Sequence, residues 1–355
     1  VLSRWQWISD QAGLQQALSV SGDTVGVDTE FVRETTYFPI PGLIQIGNAE
    51  QVFLIDPLAD LDFSIMARWM EKAEQTKIMH AGFEDLELFA HHFGCTPSPY
   101  FDTQLAEACL GGPISLGLDA LVQNHGFPAL DKSKSRNDWT QRPLARDLLD
   151  YAAQDVVHLP EIAHRQRERL IEMDRLHWLI EEQQSAIARM QAHLSGLNDP
   201  MDRIKGLHHL DGRGMCIMRA LVNWREDLGR DHNLARSRIA RDEFLLDLAS
   251  RPSFPSHLNG LNGARSHSVK HYGDAMRAVY EDAQGLPPEQ ALPTPKRPSA
   301  AEKAAHKALK ADIQAVAEKA GLVPEFVAKR RDIERWAGGR SAPSGWRAEL
   351  LESIL

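Results

Sequence analysis

What most constrains the fold of this 355-residue chain is where its β-type patterning stops. In the first half, short runs rich in Val, Ile and Phe are bounded by Gly, Pro, Asn or Asp. They lie at 24–31 (TVGVDTEF), 43–47 (LIQIG), 51–56 (QVFLID) and 77–80 (KIMH). Helical spacing predicts helices over about 63–73, 83–92, 102–111, 116–125 and 143–172. Beyond about residue 170 no strand pattern survives. Helical patterns follow at about 176–195, 213–229, 240–249 and 268–283, and again at 300–320 and 324–336. The segment 285–299 (GLPPEQALPTPKRPS) holds five prolines and cannot be a helix interior. It reads as a linker. The pattern predicts an α/β domain with a mixed sheet covered by helices, followed by small all-helical domains.

Composition narrows the class. The chain is 43% apolar and 25% charged, ordinary for a globular protein, which excludes a disordered, collagen-like or coiled-coil chain. No apolar run approaches the roughly 18 residues of a membrane span. The opening residues, VLSRWQWISDQAG, show no basic region leading into an apolar stretch, so no secretory signal is expected. Cys95, Cys109 and Cys216 are far apart and odd in number, which argues against a disulfide framework or a Cys-based zinc site. A soluble protein of a reducing compartment, the cytoplasm, is expected. Charge is uneven: residues 1–200 carry 15 Lys+Arg against 29 Asp+Glu, and residues 201–355 carry 25 against 20. An acidic first part suits a cation site, and a basic second part suits a polyanion.

Three segments carry candidate chemistry. In Asp28-Thr29-Glu30 the strand period of two puts both acids on one face, about 6–7 Å apart. Val25, Val27 and Phe31 take the other face. An isolated pair of this kind is most often a solvated strand edge. Burying it uncompensated is costly, and a divalent cation removes both the repulsion and the desolvation problem. In RDLLDYAAQDVVHL, Ala145, Leu149, Ala152, Val156 and Leu159 mark a buried helix face. Asp155 lies beside that stripe, with Tyr151 one turn earlier on the same face. In KIMHAGFEDLELF, Glu84, Asp85 and Glu87 all fall near a helix start that favours acids anyway. Spacing does not choose among them. Four carboxylates on three segments plus a tyrosine suit two-metal hydrolysis of a phosphodiester. Hard oxygen ligands select Mg²⁺ or Mn²⁺ over zinc.

These motifs, VDTEFVRETTYFPIPGLIQIG, KIMHAGFEDLELF and YAAQD, together with FDTQLA and DKSKSRNDWTQRPL between them, resemble the ribonuclease D family. That family belongs to the DEDDy group of 3′→5′ exonucleases. The resemblance covers about residues 5–170 and implies a ribonuclease-H-like exonuclease domain. It also implies that Asp28, Glu30, Asp85 and Asp155 bind two metal ions, and so picks Asp85 from its neighbours. Asp28 would bridge both ions. Glu30 and Asp155 would hold the ion that activates water, and Asp85 would serve the other. Tyr151 would orient or deprotonate the attacking water. Other members often carry Asn near His80, so His80 receives no role.

MRALVNWREDLGRDHNLARSRIARDEFLLDLA resembles the helicase-and-ribonuclease-D C-terminal (HRDC) domain. VAEKAGLVPEFVAKRRDIERW and GWRAELL resemble its more divergent second copy. The expected organisation is an exonuclease domain over 1–175 and a helical connector over 176–207. A first HRDC domain over 208–288, a Pro-rich linker over 289–300 and a second HRDC-like domain over 301–355 follow. Trp224, in the Trp224-Arg225-Glu226 step, is expected in a core. Lys132, Lys134, Arg136 and Arg142 suit phosphate contact, which positions a strand without reading it. Arg236, Arg238 and Arg241 form a second basic cluster, while Lys329-Arg330-Arg331 reads as a solvated face.

The expected activity is removal of 5′-mononucleotides from RNA 3′ ends, with precursor transfer RNA as the substrate the resemblance implies, by a monomer that uses no membrane. A 3′→5′ DNA exonuclease of proofreading or Werner type shares the four acids. An RNA-binding scaffold with a vestigial site is disfavoured by the intact acids and tyrosine. The chain lacks a P-loop, a G-x-G-x-x-G fingerprint and a G-x-S-x-G elbow, which excludes an attached motor, a dinucleotide fold and that hydrolase class. His267 and His271 lack a third ligand and read as surface residues.

Overall fold

The computed structural model describes residues 4–130, 137–287, 290–294 and 298–354. Six strands form one sheet: β1 (Arg4–Ile8), β2 (Thr24–Val32), β3 (Ile40–Gly47), β4 (Gln51–Ile55), β5 (Thr76–Met79) and β6 (Tyr100–Asp102). Their order is β1-β4-β3-β2-β5-β6. β3 runs antiparallel to β2 and β4, and the other neighbours are parallel, which is the mixed sheet expected. The two edge strands escaped the sequence pattern. β6 has only three residues, and β1 (RWQWI) carries its signal as alternating tryptophans between polar residues.

Among the described residues, eight helices surround or follow these strands: α1 (Gln11–Ala17), α2 (Ser64–Met70), α3 (Phe83–Phe93), α4 (Thr103–Cys109), α5 (Leu118–Asn124), α6 (Arg146–Val157), α7 (Leu159–Glu172) and α8 (Leu176–Leu194). On one sheet face Leu43, Val52 and Leu54 pack with Leu149, Ala152 and Val156 of α6. On the other, Val25, Val27, Ile44 and Ile46 pack with Leu14, Met66, Leu86 and Phe89. The helix expected over 143–172 is two helices. Pro160 stands in the first turn of α7, where its missing N–H costs nothing, and the break at His158 follows.

Then come α9 (Gly212–Asp231), α10 (Arg236–Ile239), α11 (Asp242–Ala249), α12 (Ser266–Gln284), α13 (Ala300–Lys319), α14 (Pro324–Val327), α15 (Arg330–Ala337) and α16 (Trp346–Leu351). The chain divides into two compact units. One joins residues 1–32, 40–195 and 299–355. The other joins 33–39 with 196–298.

Within the sheet-bearing unit, two expected boundaries change. α8 is not a free connector. The Gln183 amide accepts from Asp102 N at 2.9 Å and donates to Tyr100 O at 3.0 Å, so it satisfies backbone groups of edge strand β6. Residues 299–355 belong to this unit as well. Trp346 is fully buried, stacked 4.8 Å from Trp178 of α8 and 5.3 Å from Phe326. Its Nε1 donates to Glu182 at 3.0 Å, and Arg347 donates to the same carboxylate.

The second unit packs α9, α11 and α12 around Leu221, Phe244, Leu248, Met276 and Tyr280. Trp224 is only half-buried, edge-on to Tyr272 at 6.1 Å, whereas its neighbour Arg225 is 1% exposed and donates to Ala240 O at 2.8 Å. A helix core can take the longer polar side chain where a carbonyl waits at its end. Glu226 accepts from Tyr37 Oη at 2.8 Å and from Arg236 Nε at 2.8 and 2.9 Å. Burial raises its pKa, but the Arg236 and Tyr37 hydrogen bonds outweigh that and hold it down to about 2. Arg236 is therefore a structural partner of Glu226, with its Nη2 donating to Tyr37 Oη as well. No helix among the described residues is long and apolar enough to cross a membrane.

Candidate active site

The register of β2 against β3 pairs Gly26 with Gly47, Asp28 with Gln45 and Glu30 with Leu43. Opposite residues of an antiparallel pair share a face, so Asp28 and Glu30 point to the side that α6 covers. α6 comes close because of Gly26. A Cβ there would lie 2.4 Å from Val156 O, so only glycine lets the helix backbone rest on β2. That contact sets Asp155, the residue before Val156, over the two strand acids. Carboxylate oxygens of Asp28, Glu30 and Asp155 all lie within 4.8 Å of one another.

Asp85 enters from the first turn of α3 and is buried. Its Oδ1 accepts from Thr29 Oγ1, on the opposite face of β2 from the acid pair. It stands outside the group of three, yet its charge still acts on Asp28 and Glu30. The turn before α3 is shaped for this approach. Ala81 has φ 56°, the left-handed region that a non-glycine residue adopts only under constraint. The Asp102 carboxylate supplies that constraint, accepting from Ala81 N at 3.2 Å and Gly82 N at 2.9 Å. Thr29 and Asp102 are positioning residues that the sequence did not reveal, since a threonine in a strand and an acid before a helix are both commonplace. His80 is tied to Thr103 Oγ1 and Leu116 O, each at 2.9 Å.

Tyr151 is half-buried on α6, one turn before Asp155, its ring 6.2 Å from that of Trp139. Lys132, Lys134 and Arg136 lie outside the described residues. Arg142 is described, and its guanidinium is committed internally. Nε and Nη2 donate to Asp56, Nη1 to Trp139 O and Gln141 O, and Nη2 also to Gly42 O. It stacks over Trp7 at 5.5 Å. A guanidinium with five donors so engaged has none to offer a phosphate, so Arg142 anchors its loop and the expected substrate contact is withdrawn.

Among the described residues no Lys or Arg pairs with Asp28, Glu30, Asp85 or Asp155. Their proton affinities are raised instead. Burial, then Asp85, Asp155 and Glu30, pushes Asp28 well above the usual carboxylate range. Burial, then Asp155 and Asp85, pushes Glu30 up to about 9. Burial raises Asp85 and Asp155 to about 7 each, the Thr29 hydrogen bond tempering Asp85. Such raised groups bind protons in the folded state that the unfolded chain has already lost. Their stabilisation is complete below the ordinary carboxylate range. It is lost as pH rises through about 7 and then about 9. In EDTA the melting temperature should therefore fall between about pH 5.5 and about pH 8.5. Added Mg²⁺ should restore more at the higher pH, where the acids are free to bind it. Melting curves across that range check this, and a flat or rising EDTA series contradicts it.

Comparison with known proteins shows the family. Residues 5–171 match the family model described as 3′-5′ exonuclease, and residues 216–280 match the HRDC domain. The ribonuclease D of Cronobacter turicensis is 34% identical over 345 residues, spanning 93% of both chains. The ribonuclease D of Escherichia coli K12 is 34% identical over 348 residues, spanning 93% of this chain and 91% of the relative.

The chain belongs to the ribonuclease D family of 3′→5′ exoribonucleases. The crystal structure of Escherichia coli RNase D, described as an exoribonuclease involved in structured RNA processing, superposes with a TM-score of 0.85 at 31% identity. It covers 99% of each chain. In this ribonuclease D family member the HRDC match falls within the helical unit around α9–α12.

Proposed function

We propose that Asp28, Glu30, Asp85 and Asp155 hold two divalent cations, Mg²⁺ or Mn²⁺, at which RNA is shortened from its 3′ end by one 5′-mononucleotide at a time. The observation that carries this reading is the buried group of Asp28, Glu30 and Asp155, uncompensated by any described cation. Its all-oxygen donor set fits a hard ion. When bound, such ions polarise the scissile phosphate and lower the pKa of water. The protein's own groups do the rest. Asp28, grouped with Glu30 and Asp155, would be a ligand common to the two ions. Glu30 and Asp155 would hold one ion with it, and Asp85, whose carboxylate accepts from Thr29, would hold the other. Tyr151, one turn from Asp155, orients the attacking water and takes part in removing its proton.

Precursor transfer RNA is the substrate proposed, on the family resemblance; the Escherichia coli relative's description as acting in structured RNA processing and the basic balance of residues 201–355 support a structured RNA. Lys132, Lys134 and Arg136 remain proposed phosphate contacts. Residues 301–355 are proposed as the second HRDC-like copy, and the protein is proposed to act as a monomer in the cytoplasm. Its three cysteines are free and buried, in keeping with a reducing compartment. The test is incubation of 3′-labelled RNA and matching DNA with and without EDTA. Release of labelled 5′-mononucleotide from RNA, stopped by EDTA, is the expected result. EDTA-resistant release, or preference for DNA, overturns the reading.

Tyr151→Phe should keep RNA and metal affinity and slow turnover on the order of 10²-fold, the size of a lost proton-handling group. Single-turnover rates beside binding isotherms check this. If affinity collapses while turnover of bound RNA is unchanged, Tyr151 is a binding residue instead.

A further inference from the structure

Gln45 is 0% exposed, and neither Nε2 nor Oε1 of its amide has a hydrogen-bond partner. It lies in the middle of β3, directly opposite Asp28 on β2 and opposite Leu54 on β4. Its face of the sheet is otherwise apolar where α6 packs, with Leu43, Val52 and Leu54 against Ala152 and Val156. An alternating core strand calls for an aliphatic residue at this position. An amide buried there without partners is costly. Buried side-chain amides are nearly always paired, so an unpaired one calls for a functional explanation or an unseen ligand.

The register supplies that explanation. Directly opposed residues of an antiparallel pair carry their Cβ atoms about 4.5–5.5 Å apart. The Gln45 side chain therefore leaves the sheet next to that of Asp28, on the face that α6 covers. An ionised carboxylate only accepts hydrogen bonds, while an amide offers both a donor and an acceptor. Carboxylates that ligate metals are generally held by a further hydrogen bond from an outer residue. We propose that Gln45 is the positioning residue of the metal site. In the loaded protein its Nε2 donates to Asp28 and its Oε1 accepts from a water retained in the site. Its two polar atoms thus have partners only when the ions are present. This rests on the metal reading given above.

Gln45→Met and Gln45→Leu keep the bulk and remove the amide. Full-length wild type, both variants and Asp155→Asn are titrated with Mn²⁺ and followed by electron paramagnetic resonance, and each is melted in EDTA. Because the amide has no partner without metal, the Gln45 variants should melt in EDTA at or above the wild-type temperature. Their Mn²⁺ dissociation constants should rise about 10-fold to 100-fold, the range for loss of an outer-shell partner. With saturating Mn²⁺, kcat on a short RNA should fall while KM stays near wild type. Mn²⁺ affinity within about threefold of wild type overturns the proposal and leaves Gln45 as packing. So does failure of both variants to fold in EDTA, since an amide unpaired in the metal-free fold cannot be what sustains it. If wild type itself binds no Mn²⁺, the metal reading fails, and that result is distinct from either outcome.

Discussion

Asp155→Asn is expected to lower kcat by about 10³-fold or more while leaving the fold in place. Metal-assisted charge stabilisation supplies several kcal/mol of barrier reduction, and each 1.36 kcal/mol is tenfold in rate, so about 10³ is the minimum expected. Shape is conserved, because Asn has the volume of Asp. Stability moves the opposite way. Above pH about 7 Asp155 is ionised in a buried site, and the substitution removes the cost of burying that charge. In EDTA at about pH 8 the variant should melt above wild type, on the order of a few degrees. With Mg²⁺ the order should reverse, because wild type gains the ion and the variant binds it poorly. Loss of activity with gain of metal-free stability is the pattern of a residue placed for function against the fold's own preference. Wild-type-like turnover with Mg²⁺ contradicts the assignment.

Trp346→Ala is expected to destabilise the sheet-bearing unit by about 3–5 kcal/mol, as buried Trp truncations do. Trp346 is fully enclosed, sandwiched between Trp178 and Phe326, with its Nε1 on Glu182. Truncation removes the stacked ring and leaves Glu182 with one donor fewer. Urea unfolding should show a lower midpoint with little change in slope. A loss below about 1 kcal/mol would mean that residues 299–355 fold on their own and contribute little to the rest of the unit. The same packing bears on any attempt to isolate the nuclease. A chain cut near residue 200 would expose the face of α8 that carries Trp178. Changes of charge in the helical regions, with the chain kept whole, are the cleaner way to test their share of RNA affinity and its salt dependence.

Much of the site was legible in the chain because it is written in local periods. A strand period of two puts Asp28 and Glu30 on one face, and a helix period puts Tyr151 beside Asp155. The structure keeps both relations. Choosing Asp85 over Glu84 and Glu87 needed a resemblance, because a helix's first turn accepts any acid. Thr29 singles out Asp85 in the fold. Arg142 and Arg236 looked like phosphate contacts because a guanidinium carries no local mark of its partner. Asp56 lies 86 residues from Arg142, and Tyr37 lies 199 from Arg236.

What the sequence determined by itself is therefore the shared faces of Asp28 with Glu30 and of Tyr151 with Asp155, the mixed sheet, and the switch to helices after residue 170. Each of these is a repeat or spacing over fewer than about 20 residues, the range over which backbone geometry fixes side-chain direction. Tertiary structure alone decided which polar side chains are satisfied and by whom. It gave Arg142 to Asp56, brought residues 299–355 onto α8 through Trp346, and left the Gln45 amide unpaired opposite Asp28. Those outcomes depend on which distant segments meet across the core. There, burial without water makes each hydrogen bond, made or missing, count far more than its residue type foretells.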